Sequence, residues 1–238
     1  MKINDFNSLH SSLDILISII NNNYKFAIVI PTYNRLDMIK KTLDSLFKTK
    51  LQNTLLIIID DASNKETQDL IKNYNCLIPT IKFFKKENKC MYDSFVMGFD
   101  HVIEYYPSIE YLITLDSDTI HKENWLIKLY ELYNIVNNKN CIVTGFNTTS
   151  HHKIQKSFPN YHIKKSIGGI NMFMNKNLYI NHIKQILISG KKDWDWAVVR
   201  YFEKKKFTFY CTKPSVIQHI GDIGMHSNPK KYDRALDF

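Results

Sequence analysis

The stretch "YLITLDSDTI", residues 111–120, joins an apolar segment to two aspartates, and it decides how the rest of the chain is interpreted. Residues 111–115 are dominated by large apolar side chains, which is typical of a buried strand. Asp116 and Asp118 follow immediately. Because a buried carboxylate is costly unless something neutralises it, we expect this strand to end at a functional edge of a sheet.

Segments with the patterns of strands and helices alternate on the amino-terminal side of this stretch. The predicted strands cover residues 25–30, 55–59, 80–84 and 111–115. Four helices are predicted. The first begins at an Asn34 N-cap, the second begins at a capping box of Ser63 and Glu66, and the other two cover residues 91–105 and 122–136. This alternation predicts an α/β domain with a mostly parallel central sheet flanked by helices.

The pattern is looser after residue 150. We expect a long loop over 151–166, strands over 167–174, 207–212 and 215–220, and helices over 176–188 and 194–204. An amphipathic helix is predicted within residues 1–22, and residues 23–238 are predicted to form a single domain.

The composition is that of an ordinary globular protein, with 44% hydrophobic residues and a net charge of +9. The charge would suit nucleic acid, an anionic surface or an anionic substrate, but it also fits a proteome rich in lysine. The four cysteines form no C-x-x-C pair, which favours thiols over a disulfide framework or a zinc site. Neither a signal peptide nor a membrane-spanning run is predicted, so we expect a cytoplasmic location.

The two aspartates predict a metal site. Residues two apart in an extended chain point to the same side, with Cα atoms about 6.6 Å apart. Two carboxylates so close repel each other unless a cation lies beside them, and carboxylate oxygens suit Mg²⁺ or Mn²⁺. Alternatively, Asp118 and Thr119 could merely cap the helix over 122–136.

Other phosphate-binding sites are poorly supported. The chain has no glycine before Gly98, so the first strand is not followed by a dinucleotide-binding or P-loop motif. A phosphatase with an aspartyl nucleophile would carry its D-x-D at the first strand, whereas residues 116–118 follow the fourth.

Three further segments complete a series: "AIVIPTYNR" (27–35), "IIIDDAS" (57–63) and "KKDWDWAVVRYF" (191–202). Together with "LITLDSD", they resemble the inverting family-2 glycosyltransferases of the GT-A fold. The resemblance implies a Rossmann-like GT-A domain that transfers a hexose-like sugar from a nucleoside-diphosphate donor, expected to be a UDP-sugar, to an acceptor hydroxyl. It implies a nucleotide-binding half (23–120) and an acceptor-side half (121–238).

The resemblance also implies roles for single residues. The turn over the nucleotide would comprise Pro31, Thr32, Tyr33 and Arg35. Asp61 would accept a hydrogen bond from uracil, Asp116 and Ser117 would lie near the ribose and the metal, and Asp118 would bind the metal directly. Asp60 would be structural. Gly168 and Gly169 would lie beside the donor sugar and the acceptor, although a glycine pair can also mark a bulge in a strand.

The catalytic base and the last metal ligand each have two candidates. Asp193 matches the family's aspartate, which is usually preceded by glutamate, but here Lys192 precedes it and Asp195 is the alternative. If this segment is helical, the two aspartates face nearly opposite ways, so only one can enter the site. Within "QHIGDIGMHS" (218–227), His219 is the expected metal ligand and His226 the alternative.

The sequence therefore predicts an enzyme that depends on Mn²⁺ or Mg²⁺, with an unidentified acceptor: a glycan, a lipid, a protein or a small molecule. We expect no nucleic-acid partner. The alternatives are a catalytically inactive basic protein that binds nucleic acid or an anionic surface, and a sugar-nucleotide nucleotidyltransferase. The second should carry a glycine-rich basic loop after the first strand, which "PTYNRLD" is not.

Overall fold

A nine-stranded mixed sheet organises the computed structural model, which describes residues 24–148, 152–190, 193–222 and 233–238. The predicted helix within residues 1–22 lies outside these ranges. The strands are β1 (Phe26–Thr32), β2 (Thr54–Asp60), β3 (Thr80–Phe84), β4 (Tyr111–Leu115), β5 (Thr119–His121), β6 (Cys141–Thr144), β7 (Ile154–Ser157), β8 (Tyr161–Lys164), β9 (Asn171–Asn175), β10 (Thr208–Thr212) and β11 (Ile217–His219). The helices are α1 (Leu36–Leu46), α2 (Lys65–Asn73), α3 (Cys90–Tyr105), α4 (Trp125–Val136), α5 (Lys176–Leu178), α6 (Lys184–Ile188) and α7 (Trp194–Lys205), with a π-helical turn, Tyr179–Ile183, joining α5 to α6.

The sheet order is β3-β2-β1-β4-β9-β6-β10-β8-β7. Its first four strands are parallel, as predicted, with Phe26 in register with Thr54 of β2 and Tyr111 of β4. Every residue of β1, β2 and β4 is buried, because helices cover both faces. From β9 onward the sheet is mixed, so the parallel arrangement is confined mainly to the amino-terminal half.

Alternate residues of the central strands pack into two separate apolar layers. In β1, Ile28 and Ile30 face the layer that contains residues of α1, α2 and α4. Ala27 and Val29 face the opposite layer, which contains residues of α3, α5, α6 and α7. This period of two places the sheet between helices, as in other α/β domains.

The second half departs from the predicted elements in several places: β6 lies where no strand was predicted, a π-helical turn divides the helix expected over 176–188, and two further segments differ in type or bounds. Residues 151–166 were expected to form a loop, but they include a β7–β8 hairpin at the sheet edge. All of β7 is exposed, so it lacks the apolar alternation by which a strand is normally predicted. The strand expected over 167–174 begins only at Asn171, because Gly168 and Gly169 lie in the preceding loop and turn. The glycine pair is therefore not a bulge within a strand.

The predicted starts of α1 and α2 were wrong by one residue. Asn34 does not cap α1; it has a positive φ of 51°, and the N-cap is Arg35, whose side chain makes no capping hydrogen bond to the helix. Helix α2 is capped by Asn64, whose side chain accepts a hydrogen bond from the Thr67 amide at 3.0 Å. Ser63 instead accepts a hydrogen bond from the Asn34 amide at 2.9 Å, so the two loops hold each other.

The cysteines are free thiols, as expected, with Cys141 and Cys211 buried and Cys90 exposed. In the part of the chain that the structure describes, no helix has the length and apolar character needed to cross a membrane.

Candidate active site

The carboxyl ends of β1, β2 and β4 meet at one edge of the sheet, where ligands bind in open α/β sheets. The Asp61 amide donates a hydrogen bond of 2.8 Å to the Thr32 carbonyl, which joins the loops after β1 and β2. Asp116 follows β4 directly, as the sequence predicts. This edge therefore collects several of the residues selected from the sequence.

Asp118 occupies the centre of this edge and is only 6% exposed. Its Oδ2 atom lies 3.5 Å from Nη1 of Arg35 and 3.4 Å from Nε2 of His219. The Oδ1 atoms of Asp116 and Asp118 are both buried and have no hydrogen-bond partner among the described residues. Ser117, between the aspartates, is also buried. Neither Asp118 nor Thr119 caps α4, whose N-cap is Asn124, so the alternative of a simple helix cap is wrong.

The electrostatics of this cluster favour a cation. Burial raises the pKa of Asp116 to about 7, and the neighbouring Asp118 carboxylate adds to the rise. Burial lowers the pKa of His219, but its hydrogen bond to Asp118 and the charges of both aspartates outweigh this effect and raise it. A cation bound here would oppose the rise in the Asp116 pKa, because it stabilises the ionised carboxylate.

The residues present fit a divalent metal ion that takes some of its ligands from the protein and the others from a substrate. Carboxylate and imidazole are accepted by Mn²⁺, and two buried carboxylate oxygens lack partners. Among the described residues, no three His, Cys, Asp or Glu side chains already form a metal-binding group. Mg²⁺ often uses one or two protein carboxylates and completes its coordination shell with water and substrate phosphates.

A small second sheet brings His219 to the aspartates. Strand β11 pairs antiparallel with β5, and His219 lies opposite Thr119 in this pairing. The Ile220 amide then donates a hydrogen bond of 2.8 Å to the Asp118 carbonyl. At Gly221, a Cβ atom would collide with the side chains of Asp118 and His219, so this position needs glycine. The alternative ligand, His226, lies outside the described residues.

Residues 233–238, called here the tail, form hydrogen bonds with residues of β11. Gln218 exchanges two hydrogen bonds with Ala235, from Nε2 to the carbonyl at 3.1 Å and from the amide to Oε1 at 2.8 Å. Nδ1 of His219 lies 3.1 Å from the Asp233 carbonyl. The Ser215 hydroxyl donates to Asp237 at 2.5 Å. The tail thereby fixes the side chains on either side of the Gln218–His219 peptide bond.

The proposed uracil-recognising residue, Asp61, is buried in an ion pair that the sequence did not reveal. Nζ of Lys85 lies 2.9 Å from Asp61 Oδ1 and 2.7 Å from Asp93 Oδ2, and it donates to the Ser94 hydroxyl at 2.8 Å. The Lys89 amide donates to the same oxygen of Asp61 at 3.0 Å. The Asp61 side chain is thus held in one orientation at the strand edge.

The segment Pro31–Arg35 is divided between the core and the surface. Pro31 and Thr32 belong to β1 and are buried, whereas Tyr33 is 46% exposed. Arg35 turns toward Asp118, as the ion pair shows. Asp60 is structural, because its Oδ2 accepts hydrogen bonds from the Ser63 amide and the Gln68 side chain, both at 3.0 Å.

The two candidate bases occupy different environments. Asp195 is in the first turn of α7, where burial raises its pKa while hydrogen bonds from backbone amides, including that of Gly169, partly oppose the rise. Its charge also contributes to the raised pKa of Asp116. Asp193 is the N-cap residue of α7, and its half-exposed carboxylate lies 2.7 Å from Nη2 of Arg200.

The glycine pair packs against this helix. A Cβ atom on Gly169 would lie 2.6 Å from Cζ2 of Trp194, so the indole ring closes over that backbone. At Gly168 the nearest neighbour would be Nε2 of His152 at 3.4 Å, an ordinary contact. The close approach therefore requires glycine at the second position of the pair only.

Sequence reasoning did not identify three contributors to this site: Lys85, Gly221 and the tail. Lysine is abundant in the chain, and no local pattern distinguishes Lys85 from exposed lysines. Gly221 carries a weak signal, since the chain has only seven glycines and this one follows the predicted ligand His219 by two residues. The tail has no motif at all.

Comparison with curated proteins yields partial relatives. An uncharacterized glycosyltransferase of Mycoplasma genitalium is 38% identical over 72 residues, covering 28% of this chain and 23% of that protein. An uncharacterized protein of Acanthamoeba polyphaga mimivirus is 30% identical over 148 residues, 58% of this chain and 29% of its own length. An uncharacterized glycosyltransferase of Rickettsia felis is 26% identical over 121 residues, with coverage of 50% and 19%. The chain thus spans less than a third of each of these relatives.

Solved structures share the fold at low sequence identity. Residues 1–349 of S. aureus TarS in complex with UDP-GlcNAc superpose with a TM-score of 0.63 at 13% identity, covering 85% of this chain and 60% of TarS. GalNAc-T7 with UDP, GalNAc and Mn²⁺ superposes with a TM-score of 0.62 at 14% identity, with coverage of 83% and 44%. These similarities confirm the predicted GT-A fold. The family model named glycosyl transferase family 2 matches residues 27–187, most of the chain, and the chain therefore belongs to glycosyl transferase family 2.

Proposed function

We propose that this chain is a divalent-metal-dependent, inverting glycosyltransferase that moves a sugar from a UDP-sugar to an acceptor hydroxyl. The observation that carries the proposal is the cluster that Asp116 forms with the buried side chains of Asp118 and His219 at the edge of a family-2 fold. The UDP-GlcNAc in the TarS complex and the UDP and Mn²⁺ in the GalNAc-T7 structure support the choice of donor and metal for this chain.

Asp116, Asp118 and His219 would hold the metal. When bound, the ion would offset the negative charge of the donor diphosphate and of the departing UDP. Arg35, 3.5 Å from Asp118, is placed to share that task. Asp61, oriented by Lys85, would accept the hydrogen bond of the uracil ring. The exposed Tyr33 would contribute to the surface over the nucleotide.

We assign the base to Asp195 in preference to Asp193. Asp195 is within electrostatic reach of Asp116, whereas Asp193 is paired with Arg200 at 2.7 Å and half-exposed. The Asp195 carboxylate would take the proton of the acceptor hydroxyl while that oxygen bonds to the anomeric carbon. The bond from this carbon to the diphosphate breaks on the opposite face, UDP leaves with the electron pair, and the configuration inverts.

Calorimetric titration with UDP, in Mn²⁺ and in EDTA, tests this proposal. We expect UDP to bind in Mn²⁺ and binding to be lost or strongly weakened in EDTA. A second titration with GDP should give weaker binding, because Asp61 would be oriented for uracil. If neither nucleotide binds while the protein binds RNA with a steep salt dependence, the protein is a basic binding protein of this fold, and the proposal is wrong.

A further inference from the structure

Trp196 presents a partly open aromatic ring beside the proposed base. The chain contains three tryptophans, of which Trp125 is 0% and Trp194 6% exposed, whereas Trp196 is 39% exposed. Trp196 directly follows Asp195 in α7. A single exposed aromatic residue needs no explanation by itself, so the contacts of this ring decide what it can do.

The ring is supported from one side by a buried histidine. His152 stacks on Trp196 with ring centres 5.2 Å apart and an angle of 28° between the planes. His152 is itself buried, and its Nδ1 atom lies 2.8 Å from the Ser166 hydroxyl. Because one face is packed in this way, the indole forms a fixed flat surface rather than a freely rotating side chain.

Charged groups lie along the same face of α7. Arg200 follows Trp196 by four residues and so neighbours it on the helix surface, and Arg200 in turn holds Asp193, the N-cap residue of α7. The Asp193 and Arg200 side chains are each 54% exposed and pair at 2.7 Å. The flat ring therefore has hydrogen-bond donors and an acceptor beside it.

One loop links this surface to the proposed base. His152, which supports the ring, is the nearest neighbour of the Gly168 Cβ position. The next residue, Gly169, directs its amide to the Asp195 carboxylate. One loop therefore contacts both the support of Trp196 and the proposed base, and that base directly precedes Trp196 in the chain.

We propose that Trp196, Asp193 and Arg200 form an acceptor subsite that binds a sugar ring, so that the acceptor is a carbohydrate. The C–H bonds of a pyranose carry partial positive charge and suit the negative face of an indole. Its hydroxyls suit charged donors and acceptors at the edge of that face. This inference rests on the proposed function, because only a glycosyltransferase would need an acceptor here.

The first test uses the tryptophan itself as the probe. Lactose, cellobiose, maltose and N,N′-diacetylchitobiose are titrated into the protein in the presence of UDP and Mn²⁺, and intrinsic fluorescence is recorded. Since Trp125 and Trp194 are buried, we expect at least one saccharide to change the emission, with saturation, and the change to disappear in Trp196→Phe. No change with any of them overturns the proposal.

The second test measures acceptor-dependent release of UDP from UDP-GlcNAc. For the best saccharide we expect Trp196→Ala to raise the KM about tenfold and Trp196→Phe to restore part of the loss. Tyr105→Ala is the matched control. It removes an exposed aromatic residue from the carboxyl-terminal end of α3, which precedes β4 and lies away from the carboxyl ends of the strands, and it should leave the KM unchanged.

The two proposals fail in distinguishable ways. Loss of Mn²⁺-dependent UDP binding in the wild-type protein would overturn the proposed function. Intact UDP binding, together with stimulation by a peptide or by lipid vesicles but by no saccharide, would overturn only the acceptor subsite. A Trp196→Ala variant with an unchanged KM would do the same.

Discussion

Nε2 of His219 lies 3.4 Å from Oδ2 of Asp118, while the opposite ring nitrogen lies 3.1 Å from the Asp233 carbonyl. A carbonyl oxygen can only accept, so Nδ1 of His219 carries the proton in this contact. The Nε2 atom is thereby directed toward the aspartates, as expected for a metal-binding histidine whose second nitrogen is held by the backbone. The tail thus sets the orientation of a side chain in the proposed metal site.

Asp118→Asn should abolish Mn²⁺-dependent UDP binding, because it removes the charge at the centre of the proposed metal site. Calorimetric titration of UDP in Mn²⁺ measures this effect. Asp69→Asn, on the exposed surface of α2, is the control and should bind as the wild type does. Unchanged affinity in Asp118→Asn would exclude the aspartate as a metal ligand.

Asp195→Asn should lower the rate of sugar transfer by about 10²- to 10⁴-fold, the usual contribution of a general base, while UDP affinity stays close to that of the wild type. Asp193→Asn, two residues away, should change kcat at saturating acceptor by less than about threefold and should act on the acceptor KM instead, because that carboxylate pairs with Arg200 in the proposed acceptor subsite. Rates of UDP release with a saccharide acceptor provide the comparison. A larger loss of kcat in Asp193→Asn would return the base to the residue favoured by the sequence.

Lys85→Met should destabilise the protein by about 3 kcal/mol, since it leaves the buried Asp61 carboxylate without its cation. Lys40→Met removes an exposed pair with Asp44 and should cost about 0.5 kcal/mol or less. Urea unfolding of the two variants measures the free energies. If both lose the same stability, the Lys85–Asp61 pair has no special role in holding the loop.

Gly169→Ala should destabilise the protein by about 1–3 kcal/mol, because its Cβ atom would lie 2.6 Å from Cζ2 of Trp194. Gly168→Ala meets nothing closer than 3.4 Å and should unfold at nearly the wild-type temperature. Thermal melts followed by circular dichroism distinguish the two. Equal melting temperatures would mean that Trp194 moves aside without cost.

Gln218→Met should weaken Mn²⁺ binding in the presence of UDP, because it removes both hydrogen bonds that hold Ala235. We expect a loss of about tenfold if the tail orients His219. Electron paramagnetic resonance of free Mn²⁺ measures the affinity directly. Gln155→Met, on the exposed strand β7, serves as the control, and equal affinity in both variants would show that the tail does not orient the ligand.

Sequence patterns were sufficient for the amino-terminal half of the fold. Strands β1 and β2 are largely apolar and fully buried, and each is followed by a helix with an apolar face, so local hydrophobicity predicts a parallel sheet here. They were insufficient for β7, whose exposed residues carry no apolar period. Helix boundaries also shifted, because the Asn34 and Ser63 side chains bond across two loops instead of capping their own helices.

For the candidate site, the sequence by itself determined which carboxylates stand at strand ends, since Asp61 and Asp116 each lie at the end of an apolar run. Only the tertiary structure decided which partners they meet. The pairing of β11 with β5, the packing of the tail and the approach of Lys85 join residues far apart in the chain. The tertiary structure also gave Asp193 and Asp195 different surroundings. The direction of a helical side chain depends on how the helix is packed, so a spacing of two residues does not by itself tell which aspartate faces the site.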